Sequence, residues 1–106
     1  MKNNSYTVAV LGAGNIGSAV ISRLLHLDNE VININLSKVL VSDSTKDRDF
    51  DSNLITEDFN EIANDENIDL VIEVLGGVEP GKEYIKELLQ KGKSVITANK
   101  DIIADC

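Results

Sequence analysis

The stretch Val8-Ala9-Val10-Leu11-Gly12-Ala13-Gly14-Asn15-Ile16-Gly17 decides the fold. Its first half belongs to an apolar, β-rich run over residues 6–11 that ends on glycine, the pattern of a buried strand. From Asn15 the period changes, and Ile16, Ala19, Val20, Leu24 and Leu27 are predicted to share one face of a helix. A strand that passes through a glycine-rich turn directly into an amphipathic helix gives each glycine a task. Gly12 permits the sharp turn, Gly14 lets backbone approach a pyrophosphate, and Gly17 lets the helix pack close to the sheet. The unpaired N–H groups and the dipole at the helix start attract phosphates. Gly12, Ala13, Gly14, Asn15, Ile16 and Gly17 are therefore candidate dinucleotide-binding residues. The competing reading is a glycine-rich turn that binds nothing, and the flanking strand and helix count against it.

Working outward, residues 30–36 are ambiguous, with Val31, Ile32, Ile34 and Leu36 interleaved with asparagine, and a second strand is centred on Val39-Leu40-Val41. Residues 42–52 are polar and read as a loop. Residues 53–56 suit a short third strand. Thr56 is a plausible helix N-cap, with Phe59, Ile62 and Ala63 as the apolar face of the helix that follows. Leu70 to Leu75 reads as a fourth strand closed by Gly76-Gly77. Pro80 opens a helix whose inner face is Ile85, Leu88 and Leu89, with Gly92 as its C-cap. Ser94 to Ala98 is a fifth strand, and residues 101–106 look like the start of another element. Strands alternating with helices imply an α/β, Rossmann-like, doubly wound fold with a mostly parallel five-stranded sheet.

Composition bounds the rest. The 106 residues suffice for one small domain, and aromatics make up only 4% of them, so the core must come from Val, Ile and Leu. A net charge of −8 disfavours nucleic acid and anionic membranes as partners. The single cysteine, Cys106, allows no internal disulfide, and the run Val8 to Leu11 is too short for a signal segment or a membrane span. A cytoplasmic location is expected. Asp47, Asp49, Asp51 and Asp58 mimic part of a calcium loop. However, Ser52 stands where glycine is needed and Asp58 where a bidentate Glu is needed, so no metal site is expected.

Ligands of open α/β sheets gather beyond the carboxyl ends of the strands. Asp43, at the end of the second strand, is the candidate partner of an adenosine ribose hydroxyl. Ser42, Ser44, Thr45, Lys46 and Arg48 surround it and could instead receive an extra phosphate. The alternative for Asp43 is a turn residue bonded to its own backbone. Gly76 and Gly77 follow the fourth strand, where a nicotinamide ribose could approach backbone; the pair reads equally as a plain strand-to-helix turn. Thr97 and Lys100 follow the fifth, and a lysine there could protonate or hydrogen-bond an oxygen gaining negative charge. On pattern alone, Lys100 reads more readily as a surface lysine than as a functional one.

Several runs of residues carry a family resemblance: V-A-V-L-G-A-G-N-I-G from Val8, L-V-S-D from Leu40, L-I-T-E-D from Leu54, L-V-I-E-V-L-G-G-V-E-P from Leu70 and V-I-T-A-N-K-D from Val95. Together they resemble the amino-terminal domain of homoserine dehydrogenases, over nearly the whole chain. The resemblance implies an oxidoreductase of amino-acid (threonine and methionine) biosynthesis, moving a hydride between NAD(P)(H) and aspartate semialdehyde or homoserine. It implies that Gly12 to Gly17 hold the pyrophosphate, that Gly76, Gly77 and Thr97 lie near the nicotinamide half, and that Lys100 reaches the active site. Many relatives carry Arg where this chain has Ser42. That departure tilts the expected cofactor from NADP toward NAD. Residues 1–106 would then be the NAD(P)-binding domain alone, without the catalytic and dimerisation domain of the family, so the chain by itself is expected to bind cofactor but to lack activity. The full-length protein would be a homo-oligomer. The competing readings are another two-domain dehydrogenase with the same amino-terminal layout, and a free-standing dinucleotide-binding or redox-sensing module.

Overall fold

A computed structural model of the chain describes residues 5–25, 33–45, 52–77 and 79–97. The expectations for Lys46, Arg48, Asp47, Asp49, Asp51, Lys100, Cys106 and the element at 101–106 lie outside the described residues. The elements are β1 (Ser5–Leu11), α1 (Asn15–Leu25), β2 (Asn33–Leu40), β3 (Ile55–Thr56), α2 (Asn60–Ala63), β4 (Leu70–Glu73), α3 (Gly81–Gln90) and β5 (Ser94–Thr97), with a 3-10 turn over Ser52–Leu54. The strands form one five-stranded sheet of order β3-β2-β1-β4-β5. Every pairing is parallel.

β1 lies at the centre, and Val8, Ala9, Val10 and Leu11 are at most 1% exposed, because both faces of the sheet are covered. On one face Val10, Leu36, Val39 and Val41 pack with Ile21 of α1. On the other, Ala9, Leu11, Leu40 and Val71 pack with Phe59, Ile62 and Ala63 around α2 and with Leu88 of α3. Phe59 and Tyr84 stack with ring centroids 3.9 Å apart and so join α2 to α3. The helices thus divide between the two faces, as the doubly wound reading requires.

The structure corrects several element details. β2 begins at Asn33, so the ambiguous stretch is the first half of that strand. Leu36 pairs with Val8 and Lys38 with Ala9, leaving Ser37 as a bulge. The bulge puts Leu36 and Val39 on one face although they are three positions apart. That breaks the alternation by which strands are recognised. On α1, among the described side chains, Gly17 and Ile21 are buried and Val20 packs against the same cluster as expected, while Ala19 is exposed; the side chains of Ile16, Leu24 and Leu27 lie outside the described residues. On α3 Leu89 is 55% exposed and Tyr84 packs against the core instead, one turn before Leu88. Thr56 ends β3 and does not cap α2. Its hydroxyl accepts the Asp58 N–H at 3.0 Å, and Asp58 in turn accepts the Asn60 N–H at 3.0 Å. Gly92 behaves as expected. With φ at 84° it lets Lys93 N–H reach the Leu88 carbonyl and its own N–H reach that of Leu89, a Schellman stop.

The contact that sets α1 against the sheet is at Gly17. A Cβ there would stand 2.5 Å from the Gly12 carbonyl oxygen, 2.9 Å from its carbon and 3.1 Å from the Val74 side chain. Two of those atoms are backbone and cannot yield without moving the turn or the helix. Gly17→Ala is therefore expected to destabilise the chain by about 1–3 kcal/mol. A fall of roughly 10 °C in thermal midpoint is expected. A midpoint unchanged from the parent in a thermal melt would show that the turn is not so tightly held.

Candidate functional site

The strand order reverses between β1 and β4. The chain builds outward from β1 through β2 to β3, then crosses back to β4 and β5. Ligands of such sheets bind at that reversal, outside the carboxyl ends of the strands. The register aligns those ends in one row: Thr56 pairs with Leu40, Leu40 with Leu11, Leu11 with Glu73 and Glu73 with Thr97. The loops after β1, β2 and β4 all leave the sheet from this row. The structure therefore brings Gly12 to Gly17, Ser42-Asp43, Gly76-Gly77 and Thr97 to one edge, as the sequence suggested. Lys100 lies outside the described residues, as do the side chains of Asn15 and Ile16.

The turn after β1 is anchored on both sides. Gly12 N–H donates to the Leu40 carbonyl at 2.8 Å, and Val74 N–H donates to the Leu11 carbonyl at 3.0 Å. Gly12 has φ of 104°, a value that suits glycine, and a Cβ there would press on Val74 and Leu75. The first α1 bond runs from Ser18 N–H to the Gly14 carbonyl at 2.7 Å, and the Ser18 hydroxyl donates to the Ala13 carbonyl. Gly14 is exposed and is the converse of Gly17: a Cβ built on it meets nothing within 4 Å. The open space in front of Gly14 lies at the amino end of α1, where backbone N–H groups have no intrahelical partner. Backbone N–H groups facing open space at a helix start can receive an anionic group. Gly76 and Gly77 are exposed as well, and Gly77 has φ of 75°.

The loop after β2 is held by two carboxyl groups. Asp43 Oδ1 accepts the Thr45 N–H at 2.9 Å and the Thr45 hydroxyl at 2.5 Å, the turn that was the alternative reading for this residue. Glu57, just past β3, accepts the Ser44 N–H at 2.7 Å. The side-chain hydrogen bond from Ser44, then the one from its backbone N–H, hold the Glu57 carboxyl below the ordinary glutamate range; desolvation and the Asp43 charge oppose them.

Sequence reasoning missed Glu57, and it missed Glu73. Glu73 is 0% exposed, in the row between Leu11 and Thr97. Its Oε1 accepts the Thr97 hydroxyl and its Oε2 accepts the Leu75 N–H at 2.8 Å. A carboxyl inside the apolar run Leu70 to Leu75 was the available signal. Among the described residues the other buried charge is Lys93, which donates to the carbonyls of Asp65 at 2.6 Å and Ile68 at 3.2 Å. It lines a groove of about 490 Å³ with Asn64, Glu66 and Asp69. That groove is at the amino ends of β4 and β5, away from the glycine turn, and its lysine is spent on backbone.

The sequence model of a family described as "Homoserine dehydrogenase, NAD binding domain" matches residues 12–106. The chain is 36% identical over 104 residues to a homoserine dehydrogenase of Bacillus subtilis, covering 92% of this chain and 24% of that protein. It is 40% identical over 103 residues to one of Mycobacterium tuberculosis, covering 92% and 23%. Among solved structures, a Staphylococcus aureus homoserine dehydrogenase superposes with a TM-score of 0.83 at 36% identity, over 92% of this chain and 27% of that one. One from Thiobacillus denitrificans superposes with a TM-score of 0.85 at 28% identity, over 95% and 25%. The chain spans about a quarter of the length of these relatives.

The contact between Glu57 and Ser44 carries a pH signature. A carboxyl group whose folded pKa is lowered stabilises the fold above its ordinary pKa, and that contribution is lost as pH falls through the folded value. The Ser44 amide resonance is therefore expected to titrate with a midpoint below the ordinary glutamate range, and Glu57→Gln should remove the transition. A midpoint at or above that range, followed by NMR, would mean that the bond does not hold the loop.

Proposed function

The chain belongs to the family of homoserine dehydrogenase NAD-binding domains, and on that premise we propose that residues 1–106 are the cofactor half of a cytoplasmic homoserine dehydrogenase. In this reading a further domain supplies the substrate pocket and the contacts of a homo-oligomer. The complete protein moves a hydride between a nicotinamide dinucleotide and the aspartate semialdehyde/homoserine pair in amino-acid biosynthesis. The observation that carries the proposal is the pairing of Gly17, closed against the Gly12 carbonyl, with Gly14, open to solvent at the head of α1. Both are what a pyrophosphate on a helix start requires.

The residues divide the cofactor between them. The backbone of Gly12 to Gly17 would hold the pyrophosphate, with Ser42 and Asp43 beside the adenosine ribose. Gly76, Gly77 and Thr97 would border the nicotinamide half. When bound, the nicotinamide ring supplies or takes the hydride. Lys100 would approach the substrate oxygen and stabilise its developing charge as donor. NAD is favoured over NADP. Asp43 adds negative charge where a 2′-phosphate would sit, and Ser42 lacks the cation that many relatives have there. Donors that such a phosphate could use, on Ser44 and Thr45, are already bonded to Glu57 and Asp43.

Titration calorimetry on the chain is expected to give tighter binding of NAD than of NADP. Gly14 does not adopt positive φ and has room for a side chain, so Gly14→Val should fold normally. The new side chain would occupy the pyrophosphate position and lower affinity by at least about tenfold. Unchanged binding would remove the loop from the site, and tighter NADP would reverse the ribose assignment.

A second expectation concerns chemistry. In a polypeptide that joins this domain to the family's substrate domain, Lys100→Ala should lower turnover by ~10²–10⁴-fold, the range of a positioned proton donor. Cofactor affinity should change far less. Full turnover in the variant, measured by steady-state kinetics, would return Lys100 to the surface.

A further inference from the structure

We infer that Glu73 is a positioning residue for the nicotinamide half of the cofactor, tying the end of β5 and the loop after β4 into one frame; the inference rests on the cofactor reading above. Packing does not explain this residue. Its neighbours in sequence Leu70, Val71, Ile72, Val74 and Leu75 are apolar, and an apolar side chain would fill a fully buried place without the cost of desolvating a carboxyl group. What Glu73 does is specific. One oxygen takes the Thr97 hydroxyl from the neighbouring strand, and the other takes the Leu75 N–H at 2.8 Å, the last amide before Gly76-Gly77.

Each bond reaches a different segment of the same edge. Leu75 leads into the exposed glycine pair, and Thr97 is the last residue of β5. Among the described strands β5, Ser94–Thr97, is short and lies at one edge of the sheet, and its Ile96 is 55% exposed. Pairing with β4 sets the register of its carboxyl end, and the bond to Glu73 adds a side-chain tie at its last residue. The bond also sets polarity. Thr97 gives its hydroxyl proton to Glu73, so toward a ligand the oxygen offers lone-pair density, which suits an N–H or O–H donor of the nicotinamide ribose or carboxamide.

Glutamine at position 73 keeps the volume and can still accept the Leu75 N–H. Its amide, however, would donate to Thr97 and turn the hydroxyl proton outward. The test is calorimetry on this chain with two ligands, NAD and ADP-ribose, which lacks the nicotinamide. The parent is expected to bind both. Glu73→Gln should lose about five- to tenfold in NAD affinity, the size of one hydrogen bond, with ADP-ribose affinity held. Parallel loss of both ligands, or no loss of either, overturns the inference. A parent that binds neither ligand overturns the cofactor reading and the inference with it. If Glu73→Gln does not fold, Thr97→Val must show the same split and Thr97→Ser must restore NAD affinity. A Thr97→Val variant indistinguishable from the parent would dismiss the latch.

Discussion

Everything in this domain depends on how closely the first turn of α1 approaches the end of β1. The missing side chain of Gly17 lets the helix start lie against the Gly12 carbonyl and the Val74 side chain. Since Val74 N–H is bonded to the Leu11 carbonyl and Gly12 N–H to the Leu40 carbonyl, that one contact is pinned to three strands. The helix axis then has little freedom, and its amino end must face outward over the row of strand ends. An ordinary side chain at residue 17 would lift the helix away and separate the N–H groups from the open space in front of Gly14.

The sheet order then makes that space a site. β2 and β3 lie to one side of β1 and β4 and β5 to the other, so successive crossovers diverge and leave a crevice at the reversal. The crevice is flanked by the loop of Ser42 and Asp43 on one side and by Gly76, Gly77 and Thr97 on the other. Two glutamates stiffen these flanks in different ways. Glu57 works at the surface on Ser44, while Glu73 works from the interior on Leu75 and Thr97. A ligand that spans the crevice meets loops whose backbone donors are already oriented, so less conformational freedom remains to be lost on binding.

Much of this was legible in the residues. The apolar run into Gly12, the change of period at Asn15, the strand at Leu70 and the Gly92 stop all depend on local chemistry, and local chemistry is what a sequence displays. The departures arose where tertiary contacts decide. The Ser37 bulge hid the start of β2 because it shifts the face of every later residue. Leu89 looked like core, but the face of α3 is chosen by where Phe59 stands, and Tyr84 meets it. Thr56 resembled a cap because threonine often is one, yet its pairing with Leu40 keeps it in the sheet. Glu73 was overlooked because a charged residue in a strand is ordinarily read as facing solvent, and only the partners on Leu75 and Thr97 make its burial tolerable.

The acidity of the chain bears on how such a site can hold an anion. A net charge of −8 repels phosphate at long range. At physiological salt that repulsion is screened beyond about 8 Å, so binding is decided by the groups in contact. At the glycine turn those groups are backbone N–H donors, whose partial charges are fixed in direction and do not depend on pH. Next to them, Asp43 and Glu57 have turned carboxyl oxygens onto Thr45 and Ser44. These bonds quench negative charge locally and at the same time occupy donors that a second anionic group would need. The same acidic side chains that make the surface unfavourable to polyanions can therefore sharpen the choice among small ones. At the head of α1 the space before Gly14 stays open, whereas at the neighbouring loop the N–H groups of Ser44 and Thr45 are bonded to carboxyl groups.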